Sequence, residues 1–211
     1  MAERRREFTR QLEAIDIKVI ELFAMVCEDL PRATEALLTG SNEVAGLLAE
    51  RDRAIDARYL EIEQLACREI VLQAPVATDL RFLLTVLRIT PELERSHDLA
   101  CEIASGASLL LGAELSPRCR GLIARMGELA SDMWGQAADC WYLRDSLAAH
   151  VLAKANDEMR ELHTSLVAEL ASGGMPSAVT IELALAAGFY QRLGDHAVNI
   201  ARRVRYLAGV G

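Results

Sequence analysis

Leu93-Glu94-Arg95-Ser96-His97-Asp98-Leu99-Ala100 and Tyr190-Gln191-Arg192-Leu193-Gly194-Asp195-His196-Ala197 state one motif twice, 97 residues apart. An acidic pair at four-residue spacing precedes each, Asp52/Asp56 before the first and Asp157/Glu161 before the second. Internal similarity of this kind marks a duplicated architecture. The acidic pairs are 105 residues apart, so the second hairpin is shorter by eight residues. That is about two helical turns, one per helix, which a hairpin can lose without turning its faces.

Around the motifs the apolar residues recur at helical spacing. Phe8, Leu12, Ile15, Val19, Leu22, Val26 and Leu30 step by three and four along one stripe. Pro31 is a kink or a short break, and Gly40 closes the segment before a cap at Ser41 or Asn42. Val44, Leu48, Ile55, Tyr59 and Ile62 predict a second helix over about 42–73, stopped by Pro75. Thr78-Asp79 opens a third, running to Leu111-Gly112 with an expected kink at Pro91, where the Leu87 carbonyl loses its donor. Ser116-Pro117 starts a fourth with Leu122, Met126, Leu129, Met133, Ala137 and Trp141 on one face. A fifth is expected over Asp145 to Ala171, and a sixth from Pro176 to about Leu207, after a break at Ser172-Gly173-Gly174. Strand-type alternation is nearly absent. The reading is all-α: six long helices forming two tandem three-helix bundles, with a first repeat over 1–112 and a second over 113–211.

Composition narrows the function classes. With 52% hydrophobic residues in 211, the chain buries a substantial core. A net charge of −8 without a long Lys/Arg run argues against nucleic acid and favours cations or basic protein partners. The basic start, Met1-Ala2-Glu3-Arg4-Arg5-Arg6, leads into a helix carrying acids rather than into an apolar signal core. Val179 to Tyr190, the most apolar stretch, is short and contains Glu182, so no direct membrane insertion and a cytoplasmic protein are expected. Cys27, Cys67, Cys101, Cys119 and Cys140 form no C-x-x-C pair, and each falls where a thiol packs as a small hydrophobe.

The acids carry the chemistry. Residues four apart stack on one helix face, so Asp52 and Asp56 form a carboxylate pair and Glu94, Asp98 and Glu102 a three-rung ladder. Like charges so placed repel by a few tenths of a kcal/mol per pair, which a bound cation offsets. Oxygen ligands suit Mg²⁺, Ca²⁺ or Mn²⁺, carboxylate clusters also hold iron, and Zn²⁺ is a further candidate. Asp52, Asp56 and Asp195 lie off the apolar stripes, which places a site on each bundle's surface. The second set, Asp157, Glu161 and Asp195, has neutral Gln191 and Asn199 where Glu94 and Glu102 stand in the first. One tight site and one weak or vacant one are therefore expected.

The chain resembles the PhoU family of phosphate-signalling regulators. The resemblance rests on Pro75-Val76-Ala77-Thr78-Asp79-Leu80-Arg81, Leu93-Glu94-Arg95-x-x-Asp98, Arg192-Leu193-Gly194-Asp195-His196-Ala197-x-Asn199-Ile200 and the two acidic pairs, and it spans essentially the whole chain. It implies two three-helix bundles whose E/D-x-x-x-D motifs hold metal at the surface. It also implies a cytoplasmic, often dimeric, non-enzymatic adaptor between a phosphate ABC transporter ATPase and a sensor histidine kinase, repressing the starvation response when phosphate is plentiful. By position, Asp52/Asp56 with Glu94/Asp98 form its first motif pair and Asp157/Glu161 with Gln191/Asp195 its second. Ser96-His97 departs from the usual Ile-Gly, Gln191 from the usual acid, and Leu99 stands where the second repeat has His196.

Glu94-x-x-His97 is also the signature of ferritin-like di-iron bundles, the rival reading as an oxidase or iron store; that chemistry needs two copies, and one is present. His97 reads as a surface or interface histidine more readily than as an added metal ligand. His150, His163 and His196 lack ligand-like spacing and a nucleophile partner. Trp134 and Trp141, two turns apart, read as core or dimer contacts, and Arg81, Arg88 and Arg95 as a solvated face or an arginine docking stripe.

Overall fold

The computed structural model describes residues 2–208, so the outermost limits of the two expected repeats, Met1 and 209–211, lie outside it. Among the described residues there are helices and no strands: α1 (Ala2–Thr39), α2 (Asn42–Gln73), α3 (Ala77–Ser105), a single-turn α4 (Ala107–Leu110), α5 (Pro117–Leu143), α6 (Ala148–Ala171) and α7 (Ser177–Leu207). The α1–α2–α3 and α5–α6–α7 groups are three-helix bundles. They join along α1 against α5 and α3 against α7, leaving α2 and α6 on the two outer flanks.

The stripe residues Phe8, Ile15, Val19, Leu22, Val26 and Leu30 are buried, each worth about 1.5–3 kcal/mol of transfer free energy if a large aliphatic or aromatic group. One continuous core runs through both bundles. Trp134 and Trp141 belong to it, not to an exposed contact face: Trp134 tilts against Phe23 and donates Nε1–H to the Leu193 carbonyl at 3.1 Å. Across the same boundary Thr34 and Tyr190 share a 2.8 Å hydrogen bond. Cys67 is exposed, unlike the packed role expected for all five thiols, because it lies on the outer face of α2 next to buried Ala66.

The start and stop signals operate as local chemistry dictates. Gly40 turns the chain at φ +71, and the Ser41 hydroxyl accepts from the Val44 amide. Ala74 takes the left-handed cap conformation before Pro75. Neither proline breaks its helix: α1 continues through Pro31 and α3 through Pro91. The expected third helix to 111–112 ends instead at Ser105. Gly106 there lies so close to α7 and α1 that a Cβ would sit 2.6 Å from Glu182 Oε1 and 3.0 Å from Leu37 Cδ1. The fifth expected helix starts at Ala148 rather than Asp145, whose carboxylate instead accepts from the Leu147 amide at 2.8 Å in an Asx-type turn.

Candidate functional site

The tight link at 74–76 folds α2 back on α3, and the acids of both helices meet along that outer seam. Asp52 is 40% exposed, Asp56, Asp98 and Glu102 are exposed, and Glu94 is half-buried. Partial burial, then the charges of Asp98 and Asp56, pushes the Glu94 carboxyl above the usual carboxylate range, with Arg95 pulling the other way. Asp98 is raised likewise by partial burial and then by Asp52 and Asp56. These carboxylates thus share one negative field. Among the described residues none of the five pairs with a lysine or arginine.

Behind this seam the structure corrects the reading of His97. It is fully buried, because α3 turns it inward between α1 and α2. Its Nδ1 lies 3.3 Å from Oδ2 of Asp29, an equally buried acid of α1 that sequence reasoning missed. Asp29 is also 3.3 Å from Arg51 and 3.8 Å from Arg32. The other face of the imidazole looks outward: Nε2 is 3.3 Å from Cys101 Sγ and 3.7 Å from Asp52 Oδ1. Burial, then Asp52 and Asp29, drives the Cys101 thiol up to about 12.

The second seam differs. The buried residues of α2 (Leu48, Ile55, Ile62, Ala66) recur in α6 as Leu152, Met159, Leu166 and Leu170, at an offset of 104 rather than 105. The packing counterparts of Asp52 and Asp56 are therefore Asn156 and Arg160. On α3 and α7 the offset stays 97, pairing Glu94 with Gln191, His97 with Gly194, Asp98 with Asp195 and Cys101 with Val198. Asp157 and Glu161 lie one residue round the helix, both exposed. Arg160 spans the site: it donates to Asp157 at 2.9 Å and to Asp195 at 3.2 Å, while Asn156 donates to Asp195 at 2.7 Å. An internal guanidinium thus compensates this seam's acids.

The twin motifs also touch each other where α3 meets α7. Ser96 is buried and lies 2.8 Å from His196 Nδ1, and His196 Nε2 is 3.5 Å from Glu92. The Ser96 hydroxyl gives its hydrogen to the Glu92 carbonyl at 2.6 Å, so the imidazole donates to the serine. That is the reverse of a base activating a nucleophile. Burial lowers the affinity of His196 for a proton, with Glu92 opposing. On the same helix Arg88 and Arg95 are exposed, Arg88 lying over the Tyr206 ring, while Arg81 is half-buried beside Thr78.

The PhoU domain model matches residues 19–107 and 123–204. The PhoU homolog of Zymomonas mobilis, a phosphate-specific transport system accessory protein, is 32% identical over 216 residues, covering 97% of this chain and 90% of that one. The protein of the same name from Synechocystis is 31% identical, over 96% and 92%. The crystal structure of PhoU from Pseudomonas aeruginosa superposes with a TM-score of 0.90 at 24% identity, over 97% of this chain and 100% of that one. The phosphate transport system regulatory protein PhoU from Streptococcus pneumoniae gives 0.86 at 23% identity, over 95% and 96%. With two domain matches that together span most of its length, and relatives alike from end to end, this chain belongs to the PhoU family.

Proposed function

We propose that this chain is a non-enzymatic accessory of phosphate-specific transport, working in the cytoplasm. In this reading it links the ATPase of a phosphate ABC transporter to a sensor histidine kinase and represses the starvation response when phosphate is plentiful. The observation that carries the reading is end-to-end similarity to proteins named as accessories of that transport system. No described helix is long and apolar enough to cross a membrane. The repeats, 1–112 and 113–211, act as two faces of one particle, and a homodimer would present each face twice.

The α2–α3 seam is the proposed cation-binding face. The uncompensated, partly desolvated carboxylates fit a divalent metal ion or iron, held by Asp52, Asp56, Glu94, Asp98 and Glu102. A cation there supplies charge neutralisation and a coordination bridge to an acidic partner. Asp157, Glu161 and Asp195 form the weaker site, since Arg160 already lies among them. The di-iron reading finds little support: the counterparts of Glu94 and His97 are Gln191 and Gly194, so a second E-x-x-H is missing.

The test is retention of the transporter ATPase and the kinase on the immobilised chain, with and without Mn²⁺. Cation-dependent capture, weakened in Asp98→Ala, is expected. Capture of neither partner, or phosphatase or oxidase turnover lost in Asp98→Ala, overturns the adaptor reading.

A further inference from the structure

We infer that His97, Cys101 and Asp52 form a Zn²⁺ site that shares Asp52 with the carboxylate face beside it and differs from that face in its nitrogen and sulfur ligands. It does not rest on the adaptor reading. Among the described residues, these three are the one group of His, Cys, Asp or Glu whose ligand atoms all lie within 4.8 Å of one another. A tetrahedral zinc, with Zn–S about 2.3 Å and Zn–N or Zn–O about 2.0–2.2 Å, separates its ligand atoms by about 3.3–3.6 Å. His97 Nε2 lies 3.3 Å from Cys101 Sγ and 3.7 Å from Asp52 Oδ1, close to the separations that such an ion requires.

The spacing is favourable too. His97 and Cys101 are four apart on α3, stacked on one face, and Asp52 approaches from α2. Imidazole, thiolate and carboxylate together suit borderline-soft Zn²⁺ and disfavour Mg²⁺ and Ca²⁺, which take oxygen ligands. Because Asp52 is 40% exposed, the fourth position is open to water.

Two further observations point to a ligand. His97 is fully buried, and its Nδ1 faces Asp29 Oδ2 at 3.3 Å, a buried carboxylate that Arg51 also approaches at 3.3 Å. A carboxylate on the Nδ1 side of an imidazole is the arrangement that orients a metal-binding histidine and leaves Nε2 for the ion. The second repeat supplies a natural control. At the same packing positions it has Asn156, Gly194 and Val198, none of which retains the thiol, imidazole or carboxylate.

The experiment uses the full chain, reduced and metal-free, titrated with Co²⁺ and then Zn²⁺. Co²⁺ is expected to produce a thiolate-to-metal charge-transfer band at one equivalent, displaced by Zn²⁺. Cys101→Ser removes the band, Asp52→Asn weakens binding, and Asp29→Asn weakens it roughly 10–100-fold. Asp98→Ala, altered only in the carboxylate ladder, retains the band. Helical circular dichroism verifies each variant, and Asp52→Asn, at a partly exposed position, serves if Cys101→Ser does not fold. A wild-type chain without the band, a band that survives Cys101→Ser, or Co²⁺ affinity unchanged in Asp52→Asn overturns the site. The isolated chain's spectrum is independent of partner capture, so failure here and failure of the adaptor reading are told apart.

Discussion

The two outer seams share a helical frame and differ in how charge is balanced. On α2–α3 the packing positions hold Asp52, Asp56, Glu94 and Asp98, and no described lysine or arginine pairs with them. On α6–α7 the same positions hold Asn156, Arg160, Gln191 and Asp195, closed by hydrogen bonds at 2.7 and 3.2 Å. The first leaves its repulsion to be relieved from outside, and the second relieves it with its own guanidinium. Duplication preserved the scaffold, while a few side chains decided which copy has an unfilled demand for a cation.

Four experiments break or sharpen this contrast. The largest effect is expected from Gly194→His, which places the first repeat's imidazole in the second. A Cβ at Gly194 already collides with the Asn156 amide oxygen, so chemical denaturation should show a loss of about 3 kcal/mol. A tolerated histidine would mean that the seams are interchangeable after all. Next comes cation stabilisation: Mn²⁺ at a hundred times its dissociation constant should add about 2.7 kcal/mol to the wild type. Thermal unfolding should show that gain lost in Asp98→Ala and kept in Asp195→Ala; equal losses would erase the distinction.

A smaller effect follows from rebuilding the second seam. Asn156→Asp with Arg160→Asp removes the internal cation and should cost about 1 kcal/mol without metal, recovered when Mn²⁺ is added. The smallest is Asp98→Asn in metal-free protein, a gain of a few tenths of a kcal/mol near neutral pH. Its sign follows from the raised Asp98 carboxyl. A group that holds its proton more tightly when folded contributes stability below its ordinary range and loses it as pH rises through the raised value. The advantage of Asn should therefore vanish in acid, and one that grows in acid would contradict the shared negative field.

Much of the fold was legible in local pattern. The stripe from Phe8 to Leu30, the cap at Ser41 and the stop before Pro75 depend on residues within a turn or two of one another. The end of α3 at Ser105 was not, because Gly106 is held close to Leu37 and Glu182, remote in the chain. In the second repeat, Asp157 and Glu161 imitate the first acidic pair so closely that they drew the register one residue off. The heptads Leu48, Ile55, Ile62 and Leu152, Met159, Leu166 carried the correct offset of 104. Asp29 gave no signal: a single acid in an amphipathic helix looks solvated until three helices close over it.

The sequence by itself determined the helices, their duplication and the acidic first seam, since periodicity and i,i+4 spacing are properties of one helix. Only the tertiary structure decided that His97 turns inward against Asp29, that Arg160 compensates the second seam, and that Ser96 meets His196 across the bundles. Each of those contacts joins residues on different helices. Their distances are set by how helices pack and in what register, and that register is chosen by burial of the whole core rather than by any neighbouring residue.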